Sequence, residues 1–140
     1  MALDSTASTH WEGDLMTGAG QATLTSGAAG PLQVDWKARS EESGGKTSPE
    51  ELIAAAHSSC FSMALSNGLA KAGTPPTSLD VRATATFVPG TGITGMKLVV
   101  SGDVPGLSAD GFAEAANTAK ENCPVSQALK GNVPITLEVV

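Results

Sequence analysis

The stretch SPEELIAAAHSSCFSMALSNGLAKAG, residues 48–73, is the feature that most limits how this chain folds. Ser48 as an N-cap, Pro49 at the first helical position and Glu51 in a capping box predict the start of a helix. Gly73, followed by two prolines, predicts its end. Such a helix is roughly 38 Å long at ~1.5 Å per residue. We therefore expect the other elements to pack around it.

The remaining sequence predicts strands and shorter helices. Residues 5–13, 20–27 and 31–38 alternate polar and apolar side chains and predict a three-stranded meander, with Trp36 on the same strand face as Leu32 and Val34. Residues 78–89 and 96–106 predict a hairpin around GTGITG. The last segments predict two helices and a strand, at 108–122, 123–131 and 133–140. The order βββ-α-ββ-α-α-β predicts an α+β fold with antiparallel pairing, in a single domain covering residues 1–140.

Composition excludes several classes of protein. With 41% hydrophobic residues the chain is not disordered by composition. Only 4% of its residues are aromatic, so we expect a core of small side chains. A chain with such a core gains stability from dimerisation. The net charge of −6 argues against nucleic acid and anionic membranes as partners. The first residues lack the apolar segment of a signal peptide, and no charge-free stretch has the ~18 residues of a membrane span. We expect a cytoplasmic protein.

The two cysteines are the candidate reactive groups. Cys60 lies in the middle of the long helix, where a free cysteine is often only a small buried apolar residue. Cys123 precedes Pro124, which predicts that it is the N-cap of a short helix, a position that lowers the pKa of a thiol. His57, three residues before Cys60, is a candidate weak base. In a reducing compartment two such thiols are more often functional or incidental than a structural disulfide.

An activated Cys60 needs a nearby cation. A thiol of ordinary pKa, ~8.5, is only a few per cent thiolate at neutral pH, and Cys60 is several turns from the start of its own helix, beyond the reach of the helix dipole. The chain has two arginines, Arg39 in the segment before the long helix and Arg82 in a predicted strand. Both are candidates.

Three segments, HWEGD, SPEELIAAAHSSCFSMALS and CPVSQALKG, resemble in order and spacing the OsmC/Ohr family of thiol-dependent hydroperoxide reductases. The resemblance runs over essentially the whole chain. The histidine in AAAHSSC and the glutamine in CPVSQ favour the OsmC branch. The resemblance implies an OsmC/Ohr-like fold, an intertwined homodimer with sites at the subunit interface, and no cofactor or metal.

The resemblance also implies residue roles. Cys60 matches the peroxidatic cysteine and Cys123 the resolving cysteine, which together form an intrachain disulfide. Glu50 matches the glutamate at the helix start, and Arg39 matches the activating arginine that this glutamate holds. The loop around Arg39 has its own length and sequence, so Lys37 and Arg82 remain alternatives for the activating cation.

The expected substrates are organic hydroperoxides, reduced to alcohols in defence against oxidative or osmotic stress. The expected reductant is an external dithiol, of which a lipoyl-type group is one example. The candidate pocket is lined by Phe61, Met63 and His57, with Phe87 or Phe112 from elsewhere in the chain.

Two other functions remain open. His57, Cys60 and Cys123 form a possible Cys₂His set for a catalytic zinc. Alternatively, the chain is a non-enzymatic binding or structural dimer with incidental thiols. Loss of two free thiols per chain on peroxide treatment separates the enzyme from that dimer, and a zinc titration tests the metal site.

Overall fold

The computed structural model describes all residues from Met1 to Val140, which form two compact units, Met1–Glu50 and Glu51–Val140. The single-domain assignment stays a prediction. The strands are β1 (Ala7–Glu12), β2 (Ala19–Leu24), β3 (Leu32–Val34), β4 (Ser78–Val88), β5 (Gly92–Asp103) and β6 (Ile135–Val139). The helices are α1 (Trp36–Ser40), α2 (Pro49–Lys71), α3 (Ala109–Asn122) and α4 (Pro124–Leu129).

The first unit contains the predicted antiparallel meander, in the order β1-β2-β3. Helix α1 follows it and was not predicted. The prediction that Trp36 continues the third strand is wrong, because the strand ends at Val34 and Trp36 begins α1. Asp35 causes the change: its carboxylate accepts a hydrogen bond of 2.7 Å from the backbone N–H of Ala38 and caps the helix.

Helix α2 confirms the long helix, and its end is a Schellman motif. Gly73 has φ of +87°, and its N–H donates to the carbonyl of Ala70 at 3.0 Å, while the N–H of Thr74 donates to that of Leu69 at 2.9 Å. None of the helices combines the length and apolar character needed to cross a membrane.

The buried side of α2 differs from the stripe that contains Cys60. In the second unit, Phe61, Leu65 and Leu69 are almost completely buried, whereas Met63 and Asn67, which share the Cys60 stripe, are exposed. The apolar residues of α2 surround the helix on all sides, so the sequence pattern does not show which side faces the core. Cys60 lies at the border of the buried side and is half-buried.

The second unit has a three-stranded sheet in the order β4-β5-β6. Strands β4 and β5 form the predicted antiparallel hairpin, but β6 pairs with β5 in parallel. The parallel pair follows from the connection, because α3 and α4 carry the chain back across the sheet before β6 begins. The core lies between this sheet and the helices and includes Phe61, Leu98, Val100, Phe112 and Cys123.

The two helices between β5 and β6 match the prediction. Ser108 caps α3 by accepting a hydrogen bond of 3.1 Å from the N–H of Gly111. Pro124 is the first residue of α4, which places Cys123 at its N-cap. The start of α4 is therefore held directly beside the core.

Candidate active site

Two free thiols from different helices meet in the second unit. Cys60 is on α2 and Cys123 precedes α4, and the Cys60 thiol lies within hydrogen-bonding reach of the Cys123 sulfur. Cys123 is completely buried in the core, against which Cys60 packs from the half-exposed border. Of the pair, only Cys60 is accessible to a molecule in solution.

The surroundings of Cys60 act on its thiol in opposite directions. Burial raises the pKa of Cys60 most strongly, while a hydrogen bond from the backbone N–H of Val125 lowers it, and its contact with the Cys123 sulfur raises it further. The net effect is a pKa above the ordinary value. An attacking thiolate at Cys60 therefore needs stabilisation beyond these groups.

The Val125 contact was missed in the sequence. We expected the start of α4 to act on Cys123, which precedes it, but Cys123 makes no side-chain capping hydrogen bond there. Pro124 has no N–H, so Val125 carries the first amide N–H of α4, and this group interacts with Cys60. The proline was the available signal, but the sequence does not show which sulfur lies opposite the helix end.

A second buried contact joins the same two helices. Nε2 of His57 lies 2.8 Å from Oγ of Ser126, and the two residues are 0% and 3% exposed. Nδ1 of His57 is buried without a hydrogen-bond partner. Burial lowers the pKa of His57, so its ring is neutral near neutral pH. His57 is thus part of the interior, and Ser126 is a site residue that the sequence analysis did not select.

In the first unit, Arg39 and Glu50 form a two-pronged ion pair. Nε and Nη2 of Arg39 donate to Oε1 of Glu50 at 3.0 and 2.8 Å, and Nε is 3.3 Å from Oε2. The Glu50 side chain is 7% exposed and that of Arg39 is 34% exposed. Arg39 is in α1 rather than in a loop. The pair fixes the guanidinium plane on a buried carboxylate.

The alternative cations have different surroundings. Lys37 forms an exposed ion pair with Glu42 at 3.3 Å, with 62% of the lysine side chain accessible. Arg82 is an exposed residue of β4, opposite Val99 of β5. Of these three candidate cations, only Arg39 has an ion pair with a buried carboxylate.

The residues of the expected pocket are in unlike environments. Phe61 is completely buried in the core, as is His57, whereas Met63 is 71% exposed. Phe112 is also a core residue. The pocket stays a prediction. The zinc alternative has no geometric support, because no three side chains of His, Cys, Asp or Glu lie close enough together to hold a metal ion.

Comparison with known proteins identifies the family. The family model described as OsmC-like protein matches residues 42–138. Peroxiredoxin OsmC of Escherichia coli (strain K12) is 39% identical over 142 residues, which cover 99% of each chain. The chain belongs to the OsmC family. A second relative, the organic hydroperoxide resistance protein OhrA of Bacillus subtilis (strain 168), is 34% identical over 95 residues, covering 66% of this chain and 67% of OhrA.

A solved structure agrees with this OsmC family assignment. The crystal structure of the organic hydroperoxide resistance protein OhrB of Bacillus subtilis is 25% identical and has a TM-score of 0.74. The match covers 96% of this chain and 98% of OhrB. The OsmC/Ohr-like α+β fold predicted from the sequence is therefore confirmed.

Proposed function

We propose that the protein reduces organic hydroperoxides to alcohols, with Cys60 as the attacking thiol and Cys123 as the resolving thiol. The protein is a thiol-dependent peroxidase of the OsmC family. The contact between the two free thiols carries the residue assignment, since a half-exposed sulfur and a buried sulfur meet there. The printed names of OhrA and OhrB support an organic hydroperoxide as substrate.

In the first step, the Cys60 thiolate attacks one oxygen of the peroxide and breaks the O–O bond. The sulfur is oxidised to a sulfenic acid, and the leaving alkoxide takes up a proton to become the alcohol. The accessible side of Cys60 admits the peroxide. The N–H of Val125 stabilises negative charge on the sulfur.

In the second step, Cys123 attacks the sulfur of the sulfenic acid. An S–S bond forms and the hydroxyl group leaves as water, which requires the two sulfurs to approach closely. The buried position of Cys123 keeps it from reacting with peroxide itself. An external dithiol, such as a lipoyl-type group, then reduces the disulfide by thiol exchange and is itself oxidised to a disulfide. The proposed compartment is the reducing cytoplasm, where such donors are available.

The proposed activating cation is Arg39, oriented by Glu50. Their ion pair leaves the guanidinium in a fixed plane, as needed to stabilise a thiolate and a peroxide oxygen. Glu50 and Cys60 are ten residues apart on α2, roughly 15 Å at ~1.5 Å per residue, and point about 80° apart at ~100° per residue. We therefore propose a homodimer in which the Arg39–Glu50 pair serves Cys60 of the partner subunit.

A preference for organic hydroperoxides over hydrogen peroxide is expected if the organic group of the substrate packs against apolar side chains beside Cys60. Burial of an alkyl or aryl group stabilises by roughly 25 cal/mol per Å². About 100 Å² of contact gives ~2.5 kcal/mol, close to a hundredfold in kcat/KM if it persists in the transition state. Cumene hydroperoxide is expected to react faster than hydrogen peroxide by a factor of this order, and equal second-order rates would contradict an apolar pocket.

The central test follows peroxide consumption and free thiols together. One equivalent of cumene hydroperoxide per chain is expected to remove two free thiols, and dithiothreitol to restore both. Cys60→Ser is expected to consume no peroxide. Cys123→Ser is expected to complete one turnover and leave a sulfenic acid that dimedone traps.

Two outcomes would contradict parts of this proposal. If Cys123→Ser fails in the first turnover as fully as Cys60→Ser, the attacking and resolving roles are wrongly assigned. If the wild type consumes no peroxide and retains both thiols, a non-enzymatic dimer becomes the better description.

A further inference from the structure

The two contacts between α2 and α4 have matching spacing. His57 is three residues before Cys60 on α2, and Ser126 is three residues after Cys123 at the start of α4. His57 meets Ser126, and Cys60 meets Cys123. The imidazole–hydroxyl contact and the sulfur contact are therefore neighbours that join the same two segments.

Helix α4 depends on contacts with other elements for its position. It has six residues, far fewer than the ~12–15 that an isolated helix needs for stability. Its one fully buried residue is Ser126, and the hydroxyl of Ser126 is bonded to His57. Tertiary contacts must hold α4: Cys123 at its N-cap and Val125 pack in or against the core, and the buried hydrogen bond between Ser126 and His57 adds a directional contact.

The His57 position on α2 favours an apolar side chain. The other buried residues along this face, Phe61, Leu65 and Leu69, are apolar and fill the core. A buried histidine leaves Nδ1 without a partner, which an apolar residue would avoid. An apolar side chain, however, tolerates sliding of a neighbouring helix, whereas a hydrogen bond of 2.8 Å specifies one register.

We propose that the His57–Ser126 hydrogen bond is a positioning contact for disulfide formation, which holds the start of α4 so that Cys123 stays within reach of Cys60. The inference rests on the proposed function in assigning Cys60 and Cys123 as the reacting pair. Neither His57 nor Ser126 exchanges a proton with the substrate in this role. Both act through the placement of Cys123.

The contact has a measurable thermodynamic consequence. In the wild type, α4 is already ordered before the disulfide forms. Without the hydrogen bond, α4 is loosened in the dithiol form, and disulfide formation must order it again. Loss of a buried hydrogen bond that leaves its partner unsatisfied changes an equilibrium constant by about tenfold.

The test is a redox titration of Cys60 and Cys123 against dithiothreitol, which requires no peroxide. The equilibrium constant for disulfide formation is expected to fall about tenfold in Ser126→Ala and in His57→Leu. His57→Gln retains a group that can bond to the Ser126 hydroxyl and is expected to stay within about threefold of wild type. The matched control is Ser62→Ala, which removes a hydrogen bond of 2.7 Å that remains within α2.

Kinetics give a second readout. After cumene hydroperoxide is added, Ser126→Ala is expected to convert its sulfenic acid to the disulfide about tenfold more slowly than wild type does. An unchanged equilibrium constant in folded Ser126→Ala or His57→Leu would overturn the inference. So would an equal loss in Ser62→Ala. If wild type fails to react with peroxide, the proposed function is lost, while the titration still decides whether the contact positions the thiols.

Discussion

Protonation of His57 is expected to weaken the fold as the pH falls from 7.5 to 5.5. The ring is completely buried and Nδ1 has no partner, so a positive charge there would be desolvated and unpaired. Burial lowers the pKa of His57 in the folded chain below its ordinary value of 6.5. The unfolded chain retains the ordinary value and takes up a proton first.

The sign and size follow from this difference in proton uptake. Below pH 6.5 the unfolded state binds more protons, so the free energy of unfolding decreases with falling pH until it levels off below the folded pKa. The stabilisation that comes from keeping His57 neutral is complete above pH 6.5. The slope has a limit of about 1.4 kcal/mol per pH unit. Between pH 7.5 and 5.5 the loss reaches at most about 1.4 kcal/mol, or ~5 °C in Tm for a chain of this length.

The assay is thermal and urea unfolding at several pH values between 5.5 and 7.5, at one fixed concentration of reduced protein. His57→Gln is expected to flatten the pH dependence, because the amide does not titrate. His10→Gln is the matched control, since His10 is the only other histidine and is exposed beside Glu12. The pKa of Asp14 and Asp35 lies below the ordinary value of 3.8, so their contributions are lost only at lower pH.

Equal slopes for wild type and His57→Gln would refute the reasoning. That result would mean that the buried ring is not held neutral. A flattened slope in His10→Gln instead would assign the effect to the exposed histidine.

Three further predictions concern the thiols, the dimer and the core. Glu50→Ala and Cys60→Ser are each expected to be inactive alone. Heterodimers formed by refolding the two variants together should recover up to half of the wild-type activity, because one of their two sites then has both native residues. No recovery in heterodimers verified by mass would exclude the shared site. Cys123→Ala is expected to lower the pKa of Cys60, because it removes a contact that raises that pKa. The measurement is the alkylation rate of Cys60 against pH, and an unchanged pH profile of this rate would contradict the contact. Phe61→Ala is expected to cost about 3–5 kcal/mol in urea unfolding, since its ring is completely buried. Met63→Ala is expected to change stability by less than about 0.5 kcal/mol, since its side chain is exposed. Similar costs for both would contradict the observed burial.

Local signals in the sequence predicted most elements. Ser108 and Pro124 predicted the starts of α3 and α4, and Gly73 predicted the end of α2, because caps and turn residues act within a few positions of themselves. Helix α1 was not predicted, because the alternation of Leu32, Val34 and Trp36 suggested a longer strand. Asp35 was an available capping signal for this helix.

The site was predictable in part. The sequence and its resemblance to a family selected Cys60, Cys123, Arg39 and Glu50, and the structure brings together the two thiols and, separately, the arginine and the glutamate. Ser126 was missed because a serine in a short helix has many ordinary roles.

The sequence by itself determined most of the elements and the chemistry of the reactive groups, since hydrophobic periodicity, caps and side-chain type are local properties. Only the tertiary structure decided which side of α2 is buried, that β6 joins β5 in parallel, and that the N–H of Val125 interacts with Cys60 rather than Cys123. It also decided that His57 and Ser126, 69 positions apart, share a buried hydrogen bond. The physical reason is that these outcomes depend on contacts between distant segments, and a nearly uniform apolar helix such as α2 carries no pattern that specifies its neighbours.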